Sequence, residues 1–306
     1  MNLIALLIGL AVERLATQLF HLRELRWLDH IIDAGFKQAE RFTRLSPLIL
    51  VIVLVTLLVL PVFALTLILG DMLDKFPYLI LAIVVLFFSL GPKDIGEDVD
   101  EYCAALEAGD EQRIQNSAKA LVEGDVPADS LLRIQRVEQS VFVQANNRLF
   151  AVIFWFVAAG PFGPLGAWGY RVTDLVRRRA VFKAARHGDS DENTKAMRDA
   201  AVSLHGWLAW IPARLTALGY AVAGHFDAAL GAWRAPTEHG AETQSEYSEH
   251  LLARVGAAAL ALQEEDDEDL TQRGDRGARA AMRLVIRLLL IWAVVIAAMT
   301  LYGRIV

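Results

Sequence analysis

Residues 46–70 read SPLILVIVLVTLLVLPVFALTLILG, and no charged residue lies between Arg44 and Asp71. A helix rises about 1.5 Å per residue, so about 20 apolar residues cross the hydrocarbon core of a bilayer. The stretch is rich in β-branched residues, but in lipid only a helix satisfies the backbone of a single segment. It therefore predicts a membrane-spanning helix, in which Pro61 is a kink that neighbouring helices can tolerate.

The composition of the chain extends this conclusion to the whole protein. Hydrophobic residues make up 55% of the 306 residues, charged residues 22%, and the mean hydropathy is +0.37. This excess is concentrated in runs, which predicts one integral membrane domain over residues 1–306. Thirty basic against 36 acidic residues exclude a generally basic nucleic-acid binder, so no nucleic-acid partner is predicted. The single Cys103 excludes a disulfide framework and multi-thiolate metal sites, and no metal is predicted.

Three further apolar runs belong to the predicted membrane region. Residues 77–91 follow a short polar turn and form a transmembrane hairpin with 46–70, and residues 284–302 predict another full span. Residues 1–20 are apolar but interrupted by Glu13 and Arg14, and they lack the order of charges and the cleavage site of a signal peptide. They predict an embedded N-terminal helix, which either crosses the bilayer or lies in it.

Two apolar segments are interrupted by proline. Residues 149–170 contain Gly-Pro-Phe-Gly-Pro, and residues 200–224 contain Pro212 in mid-run, so each is read as a span or as a re-entrant or half-helix segment. The basic segments 21–44 and 171–199 belong on the cytoplasmic side. Between them, 46–70 and 77–91 cross the membrane twice and return the chain to the cytoplasmic side. A third crossing by 149–170 would place 171–199 on the opposite side, so a re-entrant hairpin is favoured for 149–170. We expect the two broken segments to pack together through the small residues Gly160, Gly163 and Gly166.

The remaining chain is predicted to be helical and cytoplasmic. Residues 98–148 show apolar residues at three-to-four spacing, with Gly124 and Pro127 separating two helices and Asp129 or Ser130 as a cap. Residues 235–280 are polar and contain EEDDED at 264–269, typical of a solvated loop. The predicted fold is thus an all-α polytopic integral membrane protein. It has about three full transmembrane helices, an embedded N-terminal helix, two Pro-broken membrane segments and cytoplasmic helices.

Ionisable and amide side chains next to the apolar runs are candidates for ligand binding, because such groups at membrane depth usually face a bundle interior or a watery cavity. An Asn–Arg pair at the membrane rim can hold a phosphate or a carboxylate, or serve as a structural hydrogen-bond latch. Surface or intrahelical ion pairs are the structural alternative for the others. The candidates are Glu13, Arg14, Asp29, His30, Arg136, Glu138, Asn146, Asn147, Arg148, His205 and Arg214.

Arg214 is the most unusual of these candidates, since it lies in the middle of an apolar run. An unpaired charge there costs about 2.5–3.5 kcal/mol on insertion scales, so we predict a carboxylate partner, Glu138 by preference and Glu13 otherwise. The chain has no phosphate-binding loop, H-E-x-x-H, C-x-x-C or G-x-S-x-G motif, and it therefore predicts neither an enzyme class nor a cofactor.

Five ordered segments together resemble the AmpE family. They are VERL (12–15), RWLDHIIDAGF (26–36), YCAALEAGD (102–110), NNRLFAVIFWFVAAGPFGP (146–164) and WIPARLTALGYAVAGHFDAALGAW (210–233). The resemblance implies a multi-pass protein of the bacterial inner membrane, acting as a sensor or regulator in cell-wall recycling and β-lactamase induction. It also implies that the partners are the lipid bilayer and an anionic or lipid-linked cell-wall intermediate.

A more distant resemblance connects the chain to the membrane synthase of cobalamin assembly, adenosylcobinamide-phosphate synthase, which attaches the aminopropanol arm to cobyric acid. The shared outline includes Leu106–Asp110, Val137–Ser140 and the I-P-A-R-L element at 211–215. This resemblance implies the alternative function, a membrane-bound ligase or transferase acting on an anionic substrate. However, the acidic and amide groups that the synthase pattern uses for ATP-Mg²⁺ chemistry are replaced here, at Phe142, Val143, Asn146, His205, Trp207 and Trp210. Transport of a muropeptide or isoprenoid-linked intermediate is a third hypothesis.

Overall fold

The computed structural model describes residues 25–39, 41–42, 44–70, 76–90, 95–122, 125–187, 191–236, 243–262 and 268–302. Within these ranges the chain is helical and contains no β-strand, so the all-α prediction is confirmed. The predicted embedded helix 1–20, with Glu13 and Arg14, lies outside the described residues.

The helices of the described chain are numbered here in order. They are α1 (Arg26–Ala39), α2 (Pro47–Gly70), α3 (Phe76–Ser89), α4 (Ile95–Ala108), α5 (Glu111–Leu121), α6 (Ser130–Ala145), α7 (Ala151–Ala158), α8 (Gly163–His187), α9 (Glu192–Ala223), α10 (Phe226–Arg234), α11 (Gln244–Leu260) and α12 (Leu270–Leu301). A π-helical turn, Asn146–Phe150, joins α6 to α7, and a 3₁₀ turn, Gly160–Phe162, joins α7 to α8.

Three segments of the described chain are long and apolar enough to cross a membrane: Pro47–Leu69, Ser130–Ala158 and Leu270–Leu301. In the first and third, only 11% and 22% of the most apolar window is buried, against 67% in the second. Contiguous exposed apolar side chains on α2 and α12 are what a lipid-facing helix presents. The chain is therefore a membrane protein in which α2 and α12 face lipid, while Ser130–Ala158 is enclosed by other helices.

The boundaries of the membrane segments differ from the predicted ones. The second arm of the predicted hairpin, 77–91, is the 14-residue helix α3, about 21 Å long and shorter than a hydrocarbon core of about 30 Å. The apolar segment Ser130–Ala158 begins within the region 98–148 that was predicted to be cytoplasmic. The polar residues Asn146–Arg148 suggested a boundary at this point, but they are buried inside a helix that continues through the π turn.

Residues 149–170 form a hairpin, in which α7 and the start of α8 pack together on either side of a turn. The chain reverses at Gly160, whose φ of +55° is a conformation that favours glycine. A Cβ at Gly166 would overlap the carbonyl of Trp155, so this glycine lets α8 pack directly against α7. The two broken segments do pack together, since Trp155 Nε1 donates to Leu208 O, but the expected glycine contacts between them are wrong, because Gly163 and Gly166 face the other arm of their own hairpin.

Residues 200–224 are not broken, which corrects the prediction for this segment. They belong to α9, a continuous helix with Pro212 in its interior. Proline has no N–H, so the carbonyl of Leu208, four residues earlier, loses its helical donor. Trp155 Nε1 of α7 donates to Leu208 O at 3.1 Å and takes the place of that donor. Trp168 Nε1 of α8 similarly donates to Leu58 O, in the turn before Pro61 of α2, at 3.1 Å.

The polar regions of the chain are also helical. Residues 95–145 form three helices instead of the predicted two, because Gly109 has a φ of +65° and Asp110 caps α5. Asp129 caps α6 as predicted, accepting from Leu132 N at 2.9 Å. At the end of the acidic run, Asp269 caps α12 and Glu268 pairs with Arg276, so these two residues stabilise a helix start.

Candidate functional site

The π turn Asn146–Phe150 places three of the predicted candidates inside the protein. A π turn holds one extra residue in a helical ladder, and such turns are frequent at functional sites. Asn146, Asn147 and Arg148 are all buried here, where α6 meets the hairpin. Each of them hydrogen-bonds to a side chain, and together they connect two buried groups of polar residues.

Asp174 of α8 is the centre of the first group and is fully buried. Its carboxylate accepts from Arg171 Nη1 at 3.1 Å, from Arg177 Nη2 at 2.8 Å and from Arg178 Nε at 2.9 Å. The three arginines stand three residues before and three and four residues after Asp174, which places all four side chains on one face of the helix. A fully buried carboxylate is stable only with such partners.

His205 of α9 connects Asp174 to the π turn. Its Nε2 lies 3.7 Å from Asp174 Oδ1 and 3.2 Å from the hydroxyl of Tyr170. Tyr170 donates to Asn147 Oδ1 at 3.4 Å, and Asn146 Nδ2 donates to the same oxygen at 3.1 Å. Thr216 Oγ1 then donates to Asn146 Oδ1 at 3.0 Å, so hydrogen bonds run from α8 to α9 through the π turn.

Arg148 is the centre of the second group, which includes Asp98 of α4, a helix in the region that the sequence predicts to be cytoplasmic. Its Nη1 donates to Asp98 Oδ2 of α4 at 2.9 Å, and its Nε donates to Gln144 Oε1 at 2.8 Å. Arg178 Nη2 donates to the same Gln144 oxygen at 3.3 Å and thereby joins the two groups. We call the combined set the polar network. It comprises Asp98, Gln144, Asn146, Asn147, Arg148, Tyr170, Arg171, Asp174, Arg177, Arg178, His205 and Thr216.

The polar network supplies a side-chain acceptor to each of its arginines. Each of its four guanidinium groups has an acceptor within the network, and Arg177 also lies 3.9 Å from Glu249 of α11. In the part of the chain that the structure describes, no three His, Cys, Asp or Glu side chains are grouped as metal ligands. The network thus links α4, α6, α8 and α9 through charge-assisted hydrogen bonds, which are stronger than bonds between neutral groups.

The predicted pair of Arg214 and Glu138 is wrong. Glu138 accepts from Arg273 of α12 at 3.1 Å, where Gly277 leaves room for the carboxylate. Arg214 instead donates to Trp210 O at 3.0 Å and lies 4.1 Å from the centroid of the Trp210 ring. The reason is geometric: Glu138 faces α12, whereas the aromatic partners of Arg214 lie on α9 itself and on α11.

The other candidates also lie apart from the polar network. On α1, Asp29 is half-buried and His30 is exposed, and Arg136 is exposed on α6. The α1 residue that makes an ion pair is Asp33, which accepts from Arg179 Nε at 2.9 Å. This hydrogen bond lowers the pKa of the Asp33 carboxyl below its ordinary value of 3.8.

Sequence reasoning identified Asn146, Asn147, Arg148 and His205 but missed Asp174 and its arginines. A signal for them exists, because RVTDLVRRR at 171–179 places arginines three residues before and three and four residues after one aspartate. These arginines were interpreted only as a topological signal. The Asp98–Arg148 pair joins residues 50 positions apart, which no local pattern reveals.

These features define an all-α membrane protein whose interior helical hairpin is joined to polar helices by a buried charged network. The family model described as "Regulatory signalling modulator protein AmpE" matches residues 1–306, so the chain belongs to the AmpE family. It is 27% identical to "Protein AmpE" of Shigella flexneri over an alignment of 316 residues that covers both chains completely. The family resemblance seen in the sequence is confirmed.

The chain also matches curated proteins of cobalamin synthesis over about half of its length. It is 28% identical to "Cobalamin biosynthesis protein CobD" of Stutzerimonas stutzeri over 153 residues, 50% of this chain and 47% of that protein. It is 28% identical to the CobD of Chromobacterium violaceum over 162 residues, 52% of this chain and 49% of that protein. No solved structure matches the chain significantly.

Proposed function

We propose that this protein is a sensor and transducer of the bacterial inner membrane that acts in cell-wall recycling and β-lactamase induction. Membership of a family described as regulatory signalling modulators supports a regulatory role in the membrane. The observation that carries the proposal is the polar network, because it couples the hairpin α7–α8 to α4 and α6. A ligand that moves one of these elements has to rearrange bonds on the others.

The energetics of buried charges explain why such a network suits a switch. A partly broken network leaves buried charges without partners, which costs several kcal/mol, so intermediate arrangements are disfavoured. Packed elements with that property change between discrete states and do not deform gradually. Arg178 is the residue that connects the Asp174 group to the Arg148 group, since it donates to both Asp174 and Gln144.

Substitution of this connecting residue tests the proposal. Arg178→Gln removes the connection while leaving Arg171 and Arg177 on Asp174. Arg198→Gln, at a partly exposed position near the start of α9, makes the same charge change outside the network. Both variants are produced in a host that lacks its own copy, and membrane level and β-lactamase induction are measured together. We expect both proteins to accumulate and only Arg178→Gln to lose induction.

Full induction by a normally accumulated Arg178→Gln protein contradicts the proposal. If this variant accumulates poorly, Arg178→Lys serves in its place, because lysine keeps the charge but cannot bridge two acceptors with a planar fork.

The orientation in the membrane is part of the same proposal. Residues 98–129, which precede the apolar segment Ser130–Ala158, and residues 171–199 lie on the cytoplasmic side, which the fold-back of the hairpin and the bond between Arg178 and Gln144 support. The test uses cysteines at the exposed positions Gln112 and Glu192. Burial raises the pKa of the native Cys103 thiol to about 12, so this residue does not compete for a maleimide. Both new cysteines are expected to be labelled only from the cytoplasmic face, and labelling from opposite faces contradicts this orientation.

We further propose that the sensed ligand is an anionic or lipid-linked cell-wall intermediate. An apolar groove of about 540 Å³ between α7, α9 and α12, lined by residues such as Phe154, Leu218 and Met299, is suited to a hydrocarbon chain. This observation supports the lipid-linked form of the ligand.

The alternative function is a membrane-bound ligase or transferase related to the cobalamin synthase, and the partial matches to CobD favour it. At two positions this chain has other residues than the acidic or amide groups of the synthase pattern, and both residues contact other side chains of the protein. Phe142 packs on Tyr220 with ring centroids 5.0 Å apart, and His205 belongs to the polar network. The test is Mg-ATP turnover by the purified protein with cobyric acid and aminopropanol. Turnover that His205→Ala abolishes supports the enzyme, and absence of turnover contradicts it.

A further inference from the structure

A second group of cationic side chains lies outside the polar network, in a groove of about 530 Å³ between α6 and α11. Arg136 and Gln139 are one turn apart on α6, and Tyr247, His250 and Arg254 follow one another at three- and four-residue spacing on α11. Residues at this spacing lie on one face of a helix, and here one face of α6 and one face of α11 line the same groove. We call these five residues and the space between them the basic groove.

Among the described residues, the basic groove has cationic side chains but no negative partner for them. No carboxylate belongs to its described lining, and in the described residues neither Arg136 nor Arg254 has an ion-pair partner. The Nε of Arg254 is buried and has no acceptor. Buried donors in proteins are almost always satisfied, so this geometry indicates an acceptor outside the described residues.

Arg214 adds a third cation beside the basic groove. Its guanidinium lies 5.5 Å from the ring centroid of Tyr247, which lines the groove. The basic groove is open to water through the exposed Arg136.

We propose that the basic groove binds a phosphate-bearing ligand, with Arg136 and Arg254 as its principal ligands. The planar guanidinium fork matches phosphate oxygens in two-point hydrogen bonds, whereas Tyr247 and Gln139 supply neutral donors. A lipid headgroup and a water-soluble phosphate compound share this chemistry. The inference does not depend on the proposed transducer function, because it concerns binding by the purified protein.

The test uses the full-length protein in nanodiscs and the shift of its thermal midpoint. A ligand that binds the native state raises this midpoint. Inorganic pyrophosphate is added at constant ionic strength to discs of neutral phosphatidylcholine, and separately the protein is placed in discs that contain phosphatidic acid. The variants are Arg136→Gln/Arg254→Gln and, as a control with exposed arginine outside the groove, Arg113→Gln.

We expect at least one of the two phosphates to stabilise the wild type, and the double variant to bind it about tenfold more weakly or worse. Arg113→Gln should behave as the wild type does. Stabilisation by pyrophosphate identifies a soluble ligand, and stabilisation by phosphatidic acid alone identifies a headgroup. No stabilisation by either, or equal stabilisation of the double variant, overturns the proposal. If the double variant does not fold, Arg136→Gln, which changes an exposed residue, gives the same comparison.

Discussion

The polar network and the basic groove use the same residue type in opposite ways. In the network, Arg148, Arg171 and Arg177 are buried, and each donates to an acceptor side chain within it. In the groove, Arg136 is exposed and Arg254 is partly buried, and neither has an ion-pair partner among the described residues. Every guanidinium of the network thus has a side-chain acceptor in the protein, while the two of the groove have none in the described chain.

The difference shows how the role of an arginine follows from its partners. A buried charge is retained only when partners offset its desolvation, so the network arginines contribute to stability jointly with Asp174 and Asp98. Exposed Arg136 keeps its water and contributes little to folding, and its donors remain available to a ligand. Substitutions should therefore separate the two regions by their effect on stability.

The largest effect is expected for Asp174→Asn in the network. This change leaves three arginines without their shared carboxylate, and removing one partner of a buried ion pair costs about 3–5 kcal/mol. The measurement is the free energy of unfolding in detergent. Asp199→Asn, which alters an exposed carboxylate that pairs with Arg198, is the control and should change little. Equal small losses in both variants contradict the structural role assigned to the network.

A smaller loss is expected at the edge of the network for Thr216→Val. The substitution keeps the shape of the side chain but removes the donor to Asn146 Oδ1, which then stays buried without it, at a cost of about 1–3 kcal/mol. Thr56→Val is a matched control, since the exposed Thr56 hydroxyl only bonds the carbonyl of Ile52 in its own helix at 2.8 Å. The free energy of unfolding of Thr56→Val should equal that of the wild type. Comparable losses in the two variants would contradict the idea that the Thr216 hydroxyl contributes through the buried network.

Asp33→Asn tests an ion pair that is intermediate between the two regions. The Asp33–Arg179 side chains are 32% and 26% exposed, so the pair should contribute less than about 1 kcal/mol. Because the folded-state pKa of Asp33 is lowered, its contribution is present above the ordinary value of 3.8 and is lost as the pH falls through the folded-state value. Thermal midpoints of wild type and variant should differ at neutral pH and converge in acid. A difference that does not depend on pH contradicts this assignment.

The smallest effect on stability is expected in the basic groove. Arg136→Gln changes an exposed side chain without an ion-pair partner in the described chain, so the free energy of unfolding should stay within about 0.5 kcal/mol of the wild type. Its effect should appear only in phosphate binding. A loss as large as that of Thr216→Val would show that Arg136 supports the fold, and the contrast between groove and network would be lost.

The fold was predictable where one segment determines its own structure. Residues 46–70 are helical because lipid offers their backbone no other partner, and this part of the prediction matches α2. Asn146, Asn147, Arg148 and His205 were recognisable because polar groups beside apolar runs need partners. The partners themselves were not recognisable, since Asp98 is 50 residues from Arg148 and Tyr170 is 35 residues from His205.

The errors have the same origin. A break at Pro212 is the correct local expectation, but an indole 53 residues away supplies the missing donor. Arg214 does need a partner at its depth, yet two aromatic rings and a backbone carbonyl serve where a carboxylate was expected. In both cases the compensating group comes from another segment or another type of interaction.

The bond from Trp155 to Leu208 also constrains the order in which the helices assemble. Before α7 is in place, the Leu208 carbonyl beside Pro212 has no donor from its own helix, and burying a carbonyl in that state costs free energy. Helix α9 therefore reaches its final packing only together with the hairpin. The hairpin precedes α9 in the chain, so the donor is synthesised before the carbonyl that requires it.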